Sequence, residues 1–317
     1  MKIVLMGYHN IGCIVLKALL RHNIHVPAVI THRDKPDENI WFRSLRNVAI
    51  NHAVRVCYSE DYNNEGLYKL INELQPDLIF SAYYRHLIPE RILNIAKYGG
   101  VNIHGSYLPK YRGRVPVNWQ IINGETEGGV TLHYMTKKAD AGNVIAQKKI
   151  KILDNDTPTE LFKKIEERTI EMLEEELSDI DSWKQKAFKQ NHDEATVFKG
   201  RKPEDGLINW LDPSNEIYNL IRGITKPYPG AYSFIGDKIF FIWKSVVKNN
   251  FQIELNVNPG EITKWNQLIL VKTGNGFIEL KNVSLSNDHL DYKNIVANKI
   301  LEFGNHFLNK SEVLSKY

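Results

Sequence analysis

Length, composition and charge set the first limits on what this chain can be. It has 317 residues, with 41 Lys and Arg against 37 Asp and Glu, so its formal net charge is only +4. A chain of this length can bury a full core and favours two domains over one. The near balance of charge argues against a nucleic-acid-binding protein, although it is compatible with a local basic pocket for a phosphorylated ligand.

Cysteine usage and the lengths of the apolar runs restrict the setting further. Cys13 and Cys57 fall in a predicted helix and a predicted strand. In so cysteine-poor a chain we expect buried free thiols rather than a disulfide or a metal pair. The apolar run after Lys2 is too short for a signal peptide, and no apolar stretch approaches the length of a membrane span. We therefore expect a soluble, cytoplasmic protein with no membrane contact.

Short apolar runs alternate with amphipathic ones over the first 150 residues. The apolar runs predict strands at Lys2–Gly7, His25–Thr31, Arg55–Cys57, Asp77–Ala82, Gly100–His104, Val130–Met135 and Val144–Lys151. The amphipathic runs predict helices at Ile11–His22, Trp41–His52, Glu65–Glu73 and Pro89–Ile95. A capping box at Thr157–Glu160 starts a longer helix, which we expect to end near Ser178. This rhythm predicts an α/β fold with a Rossmann-like, mostly parallel sheet and helices on both faces.

The second half of the chain has a different pattern. Asp181–Lys202 is polar and lacks clear periodicity, which predicts a linker or domain boundary, and Asn282–Asn305 is expected to be loop. After a short helix at Ser214–Arg222, strands are predicted at Ala231–Ile235, Lys238–Val247, Gly260–Thr263, Leu268–Lys272 and Phe277–Leu280. These short strands indicate a small, barrel-like β-rich domain of the OB type. We therefore expect one domain over residues 1–190 and the β-rich domain over residues 203–317.

An amide, an imidazole and a carboxylate occur where a strand-loop fold could bring them together. Asn102 and His104 are two residues apart on a predicted strand, so both side chains leave the same face. Asp140 follows His104 by 36 residues, in a small-residue loop that can reach that face. Alone, His104 would more readily be structural, and a turn former is the alternative interpretation of Asp140. Together the three provide an oxyanion stabiliser, a proton shuttle and an orienting charge, which is the minimal set for acyl transfer.

Two other patterns favour structural interpretations. Gly7–Gly12 follows the first strand, but it lacks the dinucleotide-binding glycine spacing, and no acidic residue closes the second strand. We interpret it as a tight strand-to-helix turn. The remaining early histidines are expected to be surface or turn residues, and they are His9, His22, His25, His32 and His52. No histidine spacing resembles a zinc site, so no metal is expected.

A cationic loop follows the predicted site. Lys110, Arg112 and Arg114 place three cations within five residues, and Gly113 lies between the last two. Such a loop is either a solvated surface or a binding site for a diphosphate, because a forked guanidinium pairs well with phosphate oxygens.

Taken together, these motifs resemble the formyltetrahydrofolate-dependent formyltransferase family. The matching segments are Asn102–His104, Ser106–Pro109, Arg112–Gly113, Asn118–Trp119, Asn123–Thr126, Gly129–His133 and Lys138–Gly142. The pattern is most similar to the sugar N-formyltransferases, and within them to the formyltransferase half of bifunctional enzymes that also decarboxylate UDP-glucuronate. The likeness runs to about residue 235. The chain ends where the decarboxylating half of those enzymes would begin, so we expect that second activity to be absent. Tyr107 and Gly129 depart from the usual Leu and Thr of the family.

The resemblance implies a role for each site residue. Asn102 would stabilise the oxyanion, His104 would move the proton, and Asp140 would orient and support the imidazole. The residues implied to hold 10-formyltetrahydrofolate, the co-substrate, are His86, Leu87, Ile88, Thr136, Lys137, Lys138 and Ala139. Those implied to contact the nucleotide-linked sugar are Tyr111, Arg112 and Arg114.

The resemblance also indicates the acceptor. It would be a nucleotide-linked 4-amino-4-deoxy sugar, with UDP-4-amino-4-deoxy-L-arabinose ahead of a dTDP-4-amino-4,6-dideoxyhexose, used to modify a cell-envelope polysaccharide or lipopolysaccharide. A homodimer is left open. The nearest alternative, methionyl-tRNA formyltransferase, needs a basic loop after the second strand, whereas Arg33–Asn39 is neutral or slightly acidic. A formate-releasing hydrolase would leave the cationic loop without a purpose, and a non-catalytic nucleotide-binding module would not require the three site residues to converge.

Overall fold

A computed structural model describes residues 1–35, 38–248, 257–288, 291–295 and 297–316. Pro36 and Asp37, which belong to the loop Arg33–Asn39, lie outside the described residues. The strands are β1 Ile3–Gly7, β2 Ala28–Thr31, β3 Arg55–Tyr58, β4 Leu78–Ala82, β5 Gly100–His104, β6 Arg112–Gly113, β7 Glu127–Tyr134, β8 Val144–Lys151, β9 Val197–Phe198, β10 Ala231–Ile235, β11 Lys238–Lys248, β12 Ile262–Trp265, β13 Leu268–Lys272, β14 Phe277–Asp288 and β15 Asp291–Ile295. The helices are α1 His9–Arg21, α2 Leu45–Asn51, α3 Asn64–Leu74, α4 Glu90–Leu93, α5 Pro116–Ile122, α6 Pro158–Glu176, α7 Trp183–Lys186, α8 Ser214–Gly223 and α9 Lys310–Lys316.

One compact unit carries the predicted parallel sheet. It comprises Met1–Pro116, Glu127–Lys151 and Phe162–Lys199. Its seven-stranded sheet has the order β3-β2-β1-β4-β5-β7-β8. The first five strands pair in parallel, while β7 and β8 are antiparallel to their neighbours. The predicted α/β fold with a mostly parallel sheet is confirmed.

Burial explains why the strands of this sheet could be read from the sequence. Every residue of β1 and β4 is buried, as expected for central strands covered on both faces, which therefore read as continuous apolar runs. Cys13 and Cys57 are buried free thiols, as predicted. At the turn after β1, a Cβ on Gly7 or Gly12 would lie 3.2 or 3.0 Å from Cδ2 of Leu45. These glycines therefore allow close packing, in agreement with a tight turn.

The carboxyl ends of the parallel strands form one edge, and the candidate site lies along it. The register aligns Gly7 with Ala82 and Ala82 with Ile103, so β1, β4 and β5 end together. The residues after two of these ends, His9 and Tyr83, have φ values of 64° and 57°. Left-handed backbone is costly for residues with a side chain, and such residues concentrate at functional sites.

The second unit carries the predicted β-rich region. It comprises Val117–Thr126, Ile152–Leu161 and Gly200–Tyr317. Its strands pair antiparallel along the path β10-β11-β14-β13-β12, and β15 pairs with β14. Trp210, fully buried in its core, donates from Nε1 to Oγ of Ser233 at 3.0 Å. The predicted β-rich unit is confirmed. In the part of the chain that is described, its strand pairings form an open path rather than a closed barrel.

The prediction of a loop over Asn282–Asn305 was wrong. Within Asn282–Asn305, β14 continues to Asp288 and pairs with β11 and β15. Apolar partners such as Ile242 opposite Val283 outweigh the low strand propensity of the Asn residues. The division between the two compact units, at Lys199 and Gly200, falls within the stretch Asp181–Lys202 that was predicted as a linker or boundary. The stretch also contains α7 and β9, and β9 pairs in parallel with β6. Its order comes from contacts with loops of the site, which local periodicity does not encode.

One property of the helices bears on the setting of the protein. None of those described combines the length with the apolar character that crossing a membrane requires.

Candidate active site

The three residues of the predicted acyl-transfer set lie close together, with a fourth side chain among them. Nδ1 of His104 is 3.6 Å from Oδ1 of Asp140. The same oxygen is 3.4 Å from Nε2 of His133, which is 3.3 Å from Nδ2 of Asn102. His104 and His133 are buried, and the Asp140 side chain is only 13% exposed. The arrangement is therefore a shielded cluster of two imidazoles, one amide and one carboxylate.

Asp140 is held as an ionised carboxylate. Its Oδ2 accepts a hydrogen bond from the backbone N–H of Gly113 at 2.8 Å, while Oδ1 faces the two imidazoles. Burial opposes ionisation, but the attraction of His104 and the hydrogen bonds from His133 and Gly113 outweigh it and hold the pKa of Asp140 well below its usual range. The carboxylate is therefore negatively charged at neutral pH.

The imidazole of His104 is fixed from both sides. Its Nε2 is 2.6 Å from the carbonyl oxygen of Tyr111, which can only accept, so Nε2 carries a proton. On the other side of the ring, Nδ1 faces the carboxylate of Asp140. The orientation of the imidazole is therefore fixed by contacts at both nitrogens.

His133 is a site residue that the sequence reasoning missed. It lies directly opposite Asn102 in the β5–β7 ladder, and its Nδ1 is 2.9 Å from the carbonyl oxygen of Tyr134. That contact fixes the ring, so Nε2 faces Asn102 and Asp140. The sequence signal that could have identified His133 is its position in Gly129–His133, one of the segments that match the family.

The loop after β5 is tied to β7 and β8 by polar side chains. Oγ1 of Thr131 donates to the carbonyl of Ser106 at 2.7 Å and accepts from the N–H of Leu108 at 3.1 Å. A Cβ on Gly129 would lie 2.8 Å from Cδ2 of Tyr107 and 2.7 Å from the carbonyl oxygen of Lys148. The two departures from the family pattern are therefore neighbours, and Gly129 leaves the space that Tyr107 occupies.

The residues implied to bind folate lie on two exposed segments. Leu87 is 80% exposed, and His86 and the run from Thr136 to Ala139 are also exposed. Ile88 and Met135 pack against the same hydrophobic cluster, so both segments border one part of the first unit. Exposed residues beside a buried carboxylate are accessible to a ligand, and their folate-binding role stays a prediction.

The three residues implied to bind the sugar nucleotide have different surroundings. Tyr111 is buried, with its ring stacked on Phe198 at 4.8 Å. Arg112 is 2% exposed and bound by protein groups. Arg114 is exposed, and within the described residues its guanidinium has neither an ion pair nor a hydrogen bond. Of the three, Arg114 is thus the one whose guanidinium can reach a phosphate without first leaving a protein partner.

Arg112 is bound to Gln190, which in turn holds the loop of Asp140. Nε and Nη2 of Arg112 donate to Oε1 of Gln190 at 3.1 and 2.6 Å, and Nη2 is 3.0 Å from Nδ1 of His192. Nε2 of Gln190 donates to the carbonyls of Asp140 and Gly142 at 2.9 and 2.7 Å. Sequence reasoning missed Gln190 because it lies in the stretch interpreted as a linker.

Two of the histidines predicted to be surface or turn residues are buried. His9 is 7% exposed, and burial together with Arg85 lowers its pKa to about 3, which keeps it neutral. Its ring packs among aromatic rings from separate segments, which are Trp41, Phe42, Tyr83 and Phe162. His32 is 4% exposed, with Nδ1 2.9 Å from Glu60. Their partners lie far away in sequence, so the pattern around each histidine carried no sign of burial.

The carboxyl ends of β1, β2 and β3 border a cleft of about 380 Å³ with mixed charge. Its lining is Tyr8, Thr31, His32, Arg33, Asp34, Ser44, Leu45, Arg46 and Tyr58. Arg33 is ion-paired with Asp61 at 2.6 Å, and Asp34 accepts a hydrogen bond from Tyr8 at 2.6 Å. In the described part of the chain, no group of His, Cys, Asp and Glu side chains is arranged to hold a metal ion.

Known families account for most of the chain. Residues 1–177 match the formyl transferase family, and residues 201–298 match the formyl transferase C-terminal domain. The chain therefore belongs to the formyl transferase family, and it is an enzyme that transfers a formyl group.

Individual relatives indicate which kinds of formyl transferase this chain is similar to. The bifunctional polymyxin resistance protein ArnA of Wigglesworthia glossinidia brevipalpis is 43% identical over 271 residues, which cover 85% of this chain and 41% of that protein. The chain thus spans less than half the length of this relative. An N-formyltransferase from Helicobacter canadensis, solved with folinic acid and dTDP-3-aminofucose, superposes with a TM-score of 0.67 at 26% identity, over 88% of this chain and 98% of that one. WlaRD, a sugar 3N-formyl transferase, gives a TM-score of 0.66 at 24% identity, over 91% and 98% of the two chains, which is a likeness of fold.

Proposed function

We propose that this enzyme is a sugar N-formyltransferase. It moves the formyl group of 10-formyltetrahydrofolate to the amine of a nucleotide-linked 4-amino-4-deoxy sugar. UDP-4-amino-4-deoxy-L-arabinose is the first candidate and a dTDP-4-amino-4,6-dideoxyhexose the second, for modification of a cell-envelope polysaccharide or lipopolysaccharide. The observation that carries the proposal is the convergence of Asn102, His104 and Asp140. The ArnA relative and the folate and amino-sugar complex of the Helicobacter enzyme support the choice of substrates.

The chemistry follows from the cluster. The neutral amine attacks the formyl carbon, and the new C–N bond leaves a negative charge on the formyl oxygen. Asn102 donates from its amide to that oxygen, which is an interaction made in the transition state. His104 moves the amine proton to N10 of the folate as the bond from N10 to the formyl carbon breaks. Asp140 supports the positive charge that the imidazole carries during the transfer.

The binding roles of the surrounding residues are part of the same proposal. The folate would lie along His86–Ile88 and Thr136–Ala139, whose residues are exposed except for the partly buried Ile88. Arg114 would contact the diphosphate. We assign Arg112 a structural role instead of substrate binding, because its guanidinium is buried and donates hydrogen bonds to Gln190.

We also propose that residues 1–190 form the catalytic domain and residues 203–317 a β-rich domain. All of the proposed catalytic residues lie in the first compact unit, which supports the first assignment. Val117–Thr126 and Ile152–Leu161 cluster with the second unit; Asn118, for example, donates to the carbonyl of Gly223 at 2.8 Å.

Methionyl-tRNA formyltransferase is the alternative, and the charges near β2 do not favour it. Binding an acceptor stem requires unpaired cations that can neutralise phosphates. Here Arg33 is paired with Asp61, and Arg85 is paired with Glu38. Cations already neutralised in this way offer little attraction to a tRNA.

The experiment that tests the proposal is a substrate panel. The protein is incubated with 10-formyltetrahydrofolate and, separately, with UDP-4-amino-4-deoxy-L-arabinose, a dTDP-4-amino-4,6-dideoxyhexose and methionyl-tRNA, and products are detected by mass spectrometry. We expect a formylated nucleotide sugar and no formylated tRNA, and His104→Ala serves as the inactive control. Formylation of methionyl-tRNA alone would reject the proposal.

A further inference from the structure

Two side chains outside the reacting cluster, Arg112 and Gln190, form a chain of hydrogen bonds that ends on the backbone of Asp140. Arg112 donates twice to Oε1 of Gln190, at 3.1 and 2.6 Å. Gln190 donates from Nε2 to the carbonyls of Asp140 and Gly142 at 2.9 and 2.7 Å. Gln190 is 6% and Arg112 2% exposed, so water does not compete for these hydrogen bonds.

The loop that Gln190 holds needs to be held. Asp140 has φ of 52°, a left-handed conformation that is unfavourable for a residue with a side chain. Its carboxylate must nevertheless reach three partners at once, which are His104, His133 and the N–H of Gly113. A backbone in a costly conformation persists where its surroundings fix it, and the amide of Gln190 binds the loop at two carbonyls.

Arg112 links the hydrogen bonds of Gln190 to the contact on the other side of the Asp140 carboxylate. It precedes Gly113, whose N–H donates to Oδ2 of Asp140 at 2.8 Å, and both residues form β6, which pairs with β9. A Cβ on Gly113 would lie 2.3 Å from the carbonyl oxygen of Phe198, so this strand pair is closely packed. Asp140 is therefore bound at its backbone by Gln190 and at its side chain by the N–H of Gly113, the residue after Arg112.

We propose that Gln190, itself fixed by the buried guanidinium of Arg112, is a positioning residue for formyl transfer that sets the carboxylate of Asp140 against His104. The inference rests on the proposed function, in which Asp140 supports the charge on His104. It assigns a reaction role to a residue in the polar stretch after α7. It also gives Arg112 a role other than phosphate binding.

Two substitutions distinguish the effect of the hydrogen bonds of Gln190 from the effect of its packing. Gln190→Ala removes all four hydrogen bonds. Gln190→Glu keeps the shape and the pairing with Arg112, but a carboxylate has no N–H to give to the carbonyls of Asp140 and Gly142. We expect each to lower kcat by roughly 10- to 100-fold, because displacements of about 1 Å at a reacting group have effects of this size. The KM values of both substrates should change little, since the Gln190 side chain is buried and its hydrogen bonds go to protein groups.

The control is Thr169→Val, which removes a buried hydrogen bond of the same unit away from the cluster. Thr169 is fully buried, and its Oγ1 donates to the carbonyl of Ile165 at 2.7 Å. We expect it to lower the melting temperature, as Gln190→Ala does, while kcat stays at the wild-type value. If Gln190→Ala does not fold, the same measurements are made on Gln190→Glu.

The deciding experiment combines Gln190→Ala, or Gln190→Glu in its place, with Asp140→Asn and compares kcat across the cycle. If Gln190 acts through the carboxylate, its loss changes the kcat of the Asp140→Asn enzyme within about twofold. Multiplicative losses, or an unchanged kcat in Gln190→Glu, would overturn the inference while leaving the proposed function intact. Wild-type kcat in Asp140→Asn alone would instead overturn the role of Asp140 in the proposed function.

Discussion

The charge of Asp140 offers the sharpest single perturbation of the site. Asp140→Asn keeps the shape of the side chain but removes a negative charge that lies 3.6 Å from Nδ1 of His104. At an effective dielectric constant of about 20, the attraction of a protonated imidazole over that distance is about 5 kcal/mol. Solvent reaches the carboxylate only slightly, at 13% exposure, so we expect most of this, about 3 to 4 kcal/mol, to be lost from the transition state. That corresponds to a fall in turnover of roughly 10²- to 10³-fold.

The assay is single-turnover formyl transfer with both substrates saturating, so that binding does not enter the rate. The matched control is Asp61→Asn, which breaks an exposed ion pair with Arg33 and should leave turnover unchanged. Circular dichroism of both variants establishes that each is folded. Turnover of Asp140→Asn within a few-fold of wild type would refute the reasoning, because the carboxylate would then contribute no charge to the transfer.

Three further predictions concern individual groups of the site. Asn102→Ala and His104→Ala should each lower kcat by roughly two orders of magnitude or more in the same assay, as expected for loss of an oxyanion donor or a proton shuttle, and near-normal kcat in either would remove that residue from the mechanism. Arg114→Ala should raise the KM for the nucleotide sugar and leave that for formyltetrahydrofolate unchanged, with Arg114→Lys recovering only part; steady-state kinetics would contradict this if the KM for the sugar did not change. The pKa of Asp140 is lower in the folded than in the unfolded chain, so its charge stabilises the fold above the ordinary carboxyl range. This stabilisation is lost as the pH falls, so the difference in melting temperature between wild type and Asp140→Asn should shrink from about pH 5 downward. A melting-temperature difference that does not change with pH would be inconsistent with a depressed pKa.

The sequence carried enough to predict the sheet and the placement of the acyl-transfer set. Continuous apolar runs mark strands buried on both faces, and β1 and β4 are buried at every position. Asn102 and His104 were placed together by the two-residue period of a strand, which holds whatever the tertiary contacts are.

Contacts between distant segments were beyond the reach of local patterns. Gln190 lies 50 residues from Asp140, whose backbone it binds, and its own segment has no periodicity. His9 is buried by rings that come from three other parts of the chain. Val283 and its neighbours form a strand because apolar residues of β11 lie opposite them, although Asn dominated the local composition. In each case the missing information was the identity of the partner, which only the fold supplies.

The central claim is that a formyl group passes from folate to the amine of a nucleotide sugar at the cluster of Asn102, His104 and Asp140. Its most direct test is a single turnover with 10-formyltetrahydrofolate labelled with ¹³C in the formyl carbon and UDP-4-amino-4-deoxy-L-arabinose, followed by mass spectrometry and by NMR of the product. We predict that the label appears as an N-formyl group at C4 of the sugar with the wild-type enzyme and is absent with His104→Ala. Label released as free formate, or carried to the sugar equally well by His104→Ala, would contradict the account.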